Sequence, residues 1–229
     1  MINFYGFGNQ LLAGAWLTLQ LSLSALVLGL ILGALGAASK LSKHPILYLI
    51  ASGYSSIVRG LPELIILFII YFGGTALLNL LTGGHEQAND FVAGMVALGL
   101  LFGAYATETL RGAYLAVQRG QVEAATAYGY SKLRCLYHIL LPQITRYALP
   151  GLGNLWLVLL KDTALVSLLG LNDLMSRAHF AAIYTQQPFT FYAVAAFIYL
   201  IFTAFSTNIL RYFAMKLSFG ARNLLISFG

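Results

Sequence analysis

Residues 11–38 run for 28 positions without a charge, enough for about 42 Å of helix, which crosses a hydrocarbon core of about 30 Å with some tilt. Lys40, Lys43 and His44 close this first span, and Pro45 follows. The next apolar piece, 46–58, is too short to cross alone and stops at Arg59-Gly60-Leu61-Pro62-Glu63. Glycine breaks the helix there. Pro62 with Glu63 suits a new helix start, where the missing donor costs nothing and an acid faces the positive end of the dipole. Residues 64–81 complete span two, and a short loop over 82–90 carries two glycines and two acids. Residues 91–117 form span three, 148–171 span four and 189–215 span five. The pattern predicts an all-α integral membrane protein with five transmembrane helices, in which 1–229 form a single transmembrane domain without an internal repeat.

The basic residues orient this arrangement. Lys40, Lys43, Arg111, Arg119, Lys132, Arg134, Arg146, Arg211, Lys216 and Arg222 fall on one side of five spans. The opposite loops hold only Arg177 beside Glu86, Asp90 and Asp173. Cytoplasmic loops carry the excess of lysine and arginine, so the N-terminus is expected outside and the C-terminus in the cytoplasm. Arg59 obeys the same rule if 46–58 hugs the cytoplasmic interface. A six-span arrangement scatters these charges over both faces.

Composition sharpens the picture. Apolar residues make up 59% of the chain and charged ones 9%, with a mean hydropathy of +0.80, against about 25% charged in soluble domains. No room remains for a large soluble domain. The net charge of +6 lies beside apolar spans and not on one patch interleaved with aromatics, so lipid headgroups and topology explain it and nucleic acid does not. The first ten residues lack a basic n-region and a small-residue cleavage site, so the first apolar stretch is expected to stay as a helix. Cys135, the single cysteine, has no intramolecular disulfide partner and reads as an incidental thiol.

One polar stretch stands out. Residues 123–142 read EAATAYGYSKLRCLYHILLP. Paired alanines allow close approach to another surface, glycine permits a turn, and Pro142 is expected to end a helix by removing a donor. Taken alone, the stretch also fits an amphipathic linker whose Lys132 and Arg134 face headgroups. Glu123, Ala124, Ala125, Gly129, Ile139, Leu141 and Pro142 together resemble, without a gap, the signature loop of the membrane subunits of binding-protein-dependent ABC importers. In that family the loop forms a short helix seated in a cleft of the ATPase subunit. The resemblance thus implies a cytoplasmic loop over 119–146 containing an ATPase-coupling helix.

Further segments extend the likeness over nearly the whole chain. Tyr105-Ala106-Thr107-Glu108-Thr109-Leu110-Arg111-Gly112, leading into Gly120-Gln121-Val122-Glu123, is similar to the approach to this loop in the polar-amino-acid branch. Arg59-Gly60-Leu61-Pro62-Glu63 resembles that branch's Arg-Gly-x-Pro turn. Lys161-Asp162-Thr163-Ala164-Leu165-Val166-Ser167, continuing to Leu174, resembles its fourth-helix motif. Among these permeases the chain is most similar to the histidine, lysine, arginine and ornithine subunits of Gram-negative bacteria. The resemblance implies a type I importer fold in the inner membrane, a paralogous second permease subunit, two ATPase subunits and a periplasmic solute-binding protein. It also implies an amino-acid substrate, surrounding membrane lipid, and no cofactor in this chain, with ATP and magnesium held by the partners. Independently, no Gly-x-x-x-x-Gly-Lys-Ser/Thr loop occurs, so ATP chemistry belongs to another chain.

Charges inside the spans need a reason. Lys161 and Asp162 lie about half-way through span four, where an isolated charge costs about 2.5 to 3.5 kcal/mol. Neighbours on a helix diverge by about 100°, so the two do not satisfy each other. Asp162 is a candidate to meet a cationic substrate in the translocation cavity; an internal ion pair or packing contact is the competing reading. Leu155, two turns earlier on a similar face, is apolar where a second acid would strengthen a cation site. Glu108 and Arg111, three apart, are expected to form a structural pair, and Trp16 and Trp156 to pack helices or sit at interfaces. His44, His85, His138 and His179 are scattered, which argues against a metal centre. A proton-coupled carrier or passive channel using Lys161 and Asp162 is the alternative function. A membrane enzyme would need a catalytic constellation that the sequence lacks.

Overall fold

In a computed structural model of the chain, residues 6–82 and 89–217 are described. His85, Glu86 and Arg222, used in the charge and metal arguments, and the first five residues of the leader argument lie outside them. Among the described residues all regular structure is helical: α1 (Gly8–Leu41), α2 (Pro45–Gly60), α3 (Glu63–Thr82), α4 (Asp90–Leu115), α5 (Arg119–Ala127), α6 (Lys132–Cys135), α7 (Leu141–Val166), α8 (Leu174–Thr185) and α9 (Pro188–Leu217). A π turn over Leu136–Leu140 joins α6 to α7, and a 3-10 turn over Ser167–Leu169 ends α7.

α1, α4, the run Lys132–Leu169 and α9 are each long and apolar enough to span a membrane, and Pro45–Gly60 with Glu63–Leu77 forms a further pair bent by 117°. The bend falls at Leu61-Pro62. Pro62 offers no donor to α2, and its carbonyl accepts from Ile65 and Ile66 to start α3, so one proline closes one helix and opens the next.

α4 sits at the centre, packed on α1, α2, α3 and α7. Its contact with α1 is made by small residues. A Cβ on Gly33 would lie 2.6 Å from Ala106 Cβ, and one on Gly99 would lie 2.8 Å from Leu28 Cδ2. Lipid tails give membrane helices no hydrophobic push towards each other, so close backbone approach supplies the dispersion that holds this pair. The outward faces keep Leu12, Val27, Ile31 and Leu35 of α1 and Phe197, Leu200, Ile201 and Phe205 of α9 exposed, as a surface solvated by acyl chains requires.

Two expectations change. Pro142 does not end a helix. It stands in the first turn of α7, inside a helical run that is continuous from Lys132. The π turn before it carries the helical path through. The helix that carries span four therefore begins upstream of 148, and Asp162 lies four residues before Val166, the end of α7. α8, between spans four and five, was not anticipated. Asp173 caps its start, with Oδ1 accepting from Ser176 N at 2.9 Å, and Thr18 Oγ1 of α1 accepts from Leu174 N at 3.1 Å.

Candidate functional site

The bend at Pro62 has a chemical consequence. It carries Glu63, first residue of α3, against α4 and α7, where a cavity of about 220 Å³ is lined by Glu63, Tyr105, Leu155, Val158 and Asp162 among others. The Glu63 carboxyl shares this cavity with Asp162 and Tyr105 and is close enough for its charge to act on both. Asp162 thus faces a cavity, and the second acid that Leu155 fails to supply on α7 comes from α3. Leu155 lines the same cavity, so the two α7 positions do share a face. Two carboxylates this close repel when both are ionised, and the apolar walls of Leu98, Leu101 and Phe102 screen them poorly. A cation or a shared proton relieves that repulsion.

Arg59 lies next to Tyr105, its guanidinium 5.8 Å from the ring centroid and 4.0 Å from Glu108 Oε1. Glu108 is the hub of a separate cluster. Lys40 Nζ of α1 pairs with its Oε1, Ser55 Oγ of α2 donates to the same oxygen at 3.0 Å, and Arg111 Nη1 approaches Oε2 at 3.7 Å. The Glu108–Arg111 pair exists, but Lys40 is the nearer partner. Lys40, read above as a topological charge, has a side chain only 6% exposed and ties α1 to α2 and α4. Lys161 is exposed and lines a different recess, so it and Asp162 diverge as helical geometry requires.

At the other end of α7 the signature residues form a compact unit. Glu123 and Ala124 on α5 are exposed and Ala125 is buried. Gly129 adopts φ +79° with nothing within 4 Å of an added Cβ. Its N–H donates to Thr126 O, and Tyr130 N–H donates to Ala125 O, each at 3.0 Å. This is a Schellman ending, which demands a left-handed residue after the cap. Glycine is here for its backbone and not for clearance. Gln143 Nε2 of α7 donates to Gln121 Oε1 of α5 at 2.5 Å and to Ile139 O at 2.9 Å. A groove between α5 and the π turn is lined by Ala124, Ala125, Tyr128, His138 and Ile139, while Leu141 and Pro142 lie exposed beside it. Cys135 is buried at the foot of this unit.

Glu63, Arg59 and Tyr105 were missed as site residues. The one signal for Glu63 was an acid placed directly after a helix break inside apolar sequence; its convergence with Asp162 depends on an angle that no local pattern encodes. Among the described residues no group of three or more histidine, cysteine, aspartate or glutamate side chains could hold a metal.

Residues 25–219 match the family of binding-protein-dependent transport system inner membrane components. The chain belongs to that family. It is 43% identical over 222 residues to the histidine/lysine/arginine/ornithine transport system permease protein HisQ of Escherichia coli (strain K12), covering 95% of this chain and 97% of that one. To the arginine ABC transporter permease protein ArtQ of Haemophilus influenzae it is 45% identical over 206 residues, 89% and 91% of the two chains. To the octopine transport system permease protein OccQ of Rhizobium radiobacter it is 40% identical over 211 residues, 90% and 89%. A solved structure of an amino acid ABC transporter with histidines superposes with a TM-score of 0.81 at 30% identity, covering 94% of this chain and 99% of that one. The inward-facing MetNI methionine transporter, at 19% identity, a TM-score of 0.75 and coverage of 91% and 96%, shares the fold. The chain is therefore an inner-membrane permease subunit with the type I importer fold, working in a complex with ATPase and permease partners. ATP hydrolysis in such systems belongs to the separate subunits, and nothing in these likenesses favours a carrier or a channel.

Proposed function

We propose that this subunit passes a basic amino acid from periplasm to cytoplasm, reading the cationic side chain with the Glu63–Asp162 pair. The carrying observation is the convergence of these two carboxyls in one apolar-walled cavity. A guanidinium or ammonium entering there neutralises repulsion that the empty site bears, in surroundings where water competes weakly. The free carboxylate of the same amino acid suits Arg59, which sits beside Tyr105, a lining residue of the cavity. The substrates for which the related permeases are named, histidine, lysine, arginine and ornithine, point the same way.

The chain forms one transmembrane domain over 1–229, with the N-terminus periplasmic and the C-terminus cytoplasmic. The 119–146 loop faces the cytoplasm and docks on one ATPase subunit through Glu123, Ala124, Ala125, Gly129, Ile139, Leu141 and Pro142. Exposed Tyr128, Leu133 and Tyr137 around the α5 groove support this, since apolar side chains outside the spans gain by being covered. Two ATPase subunits bind ATP and magnesium, a paralogous permease completes the membrane pair, and a periplasmic solute-binding protein delivers the substrate. Lipid covers the remaining apolar faces.

Reconstituted uptake tests the substrate reading. Asp162→Asn and Glu63→Gln keep shape while each deletes one charge. Losing one charge-assisted contact worth about 1.5 to 3 kcal/mol should weaken arginine or lysine transport by roughly 10- to 150-fold, with the level of assembled complex unchanged. Undiminished uptake by both variants would remove the pair from recognition, and loss of the complex would make its role structural.

A further inference from the structure

A groove of about 500 Å³ runs between α1, α7 and α9, lined by Leu23, Leu30, Leu149, Trp156, Phe205 and Phe213 among others. None of its lining residues is charged, and Leu23, Phe205 and Phe213 are exposed along it. It follows α1 from Leu19 to Leu30 and α9 from Phe202 to Phe213, about 16 Å of each helix axis. That is close to half of a hydrocarbon core about 30 Å thick. The groove is therefore one leaflet deep. A docked transmembrane helix would cross both leaflets, whereas an acyl chain belongs to one.

One end of the groove carries charge that lacks a partner. Arg146 stands three residues before Leu149 and seven before Gly153, both of which line the groove, so it falls on the same face of α7. Its Nε and Nη2 are buried, and neither has a hydrogen-bond partner. A Cβ on Gly153 would lie 3.2 Å from Leu210 Cδ1, and Thr163 Oγ1 lies 3.4 Å from Tyr199 Oη. These two contacts set the antiparallel register of α7 against α9, and that register brings Arg146 level with Lys216, an exposed residue in the last turn of α9. Two cations thus stand at the Leu149 and Phe213 end. Buried guanidinium N–H groups require an acceptor, and the planar fork of arginine matches a phosphate. A lysine at the same level favours a headgroup that carries no cation of its own. We propose that the groove holds an acyl chain of an anionic phospholipid whose phosphate is bound by Arg146, with Lys216 selecting the anionic headgroup. This rests on the reading that lipid covers the outer apolar faces and narrows it to one lipid class at one place, in the cytoplasmic leaflet on the proposed orientation.

The test uses the full complex in bilayers of phosphatidylcholine with a minor fraction of phosphatidylglycerol. A photoreactive phenylalanine analogue is placed at Phe205, an exposed lining residue, and the cross-linked products are identified by mass spectrometry. Lipid adducts should carry phosphatidylglycerol several-fold above its share of the bilayer. Arg146→Gln should cut that enrichment by about fivefold, the worth of one basic residue beside an anionic lipid, and Arg146→Lys, which keeps the charge, should retain most of it. If Arg146→Gln fails to assemble, saturation in the chain with native Arg146 decides: phosphatidylglycerol adducts should level off as its fraction is raised, where an unselective lipid shell gives a proportional rise. Adducts in bilayer proportion, or enrichment untouched by Arg146→Gln, would overturn the anionic site and leave lipid coverage of this face standing. Cross-links from position 205 to the second permease would overturn both.

Discussion

Asp173 shows how much one residue can carry in a small bundle. It is fully buried, caps α8 through Oδ1, and leaves Oδ2 without a partner. Burial pushes its carboxyl up to about 6 from the usual 3.8, against the pull of the Ser176 backbone donor. A folded value above the unfolded one means that the fold favours the neutral acid. Its stabilising contribution is therefore complete below about pH 4 and is lost as pH rises through about 6. The melting temperature of the detergent-solubilised complex should accordingly fall between pH 4 and 7. Asp173→Asn, which retains the capping acceptor, should flatten that fall. Parallel melting curves for the two proteins would assign the pH dependence to other groups.

At the scale of elements, the signature loop divides into what sequence could and could not express. Gly129 was legible as a turn because so few residues accept its conformation. The structure changes the physical reason for predicting damage from Gly129→Leu: the backbone sits at φ +79° and no neighbour would be struck. A side chain there costs about 1 to 2 kcal/mol in the left-handed region, loosening the Schellman ending of α5. The variant should insert normally but lose ATPase association or substrate-stimulated hydrolysis, read by copurification and phosphate release. Wild-type values for both would mean that α5 does not require this ending to couple. Pro142 was misread because a proline can end one helix or begin another, and only the π turn, invisible in composition, decides for the second. α8 escaped notice for a related reason: its twelve residues are too few to span and mix apolar with polar positions, so their order comes from packing on α1 and α9.

For the whole molecule, the apolar runs were enough to give the spans, since a bilayer imposes a minimum length and forbids charge along most of it. The cavity proposed for the substrate was only half legible. Asp162 was conspicuous as a charge in a span, whereas Glu63 looked like an ordinary helix start until the 117° bend carried it to α7. The glycine-lined contact of α1 with α4 was likewise unread, because it joins residues about seventy positions apart. The proposed orientation rests on charge asymmetry and can be measured directly. In a Cys135→Ala background, single cysteines at Ser131 and Tyr184, both exposed, should react with an impermeant thiol reagent from the cytoplasmic and the periplasmic face respectively. Reaction of both from one face would sink the five-span arrangement.

The helical run from Lys132 to Leu169 continues through the π turn and past Pro150, and this makes it a lever. Its lower arm begins beside the α5 groove, and Asp162 rides twenty-one residues above Leu141, about 31 Å away along the axis. A 10° swing about that foot sweeps Asp162 through about 5 Å, wider than the reach of a hydrogen bond. Glu63 is carried by a different helix and does not share the swing. On the proposed substrate reading, a modest rocking at the foot would separate the two carboxyls, and a cation held between them would lose one of its two grips.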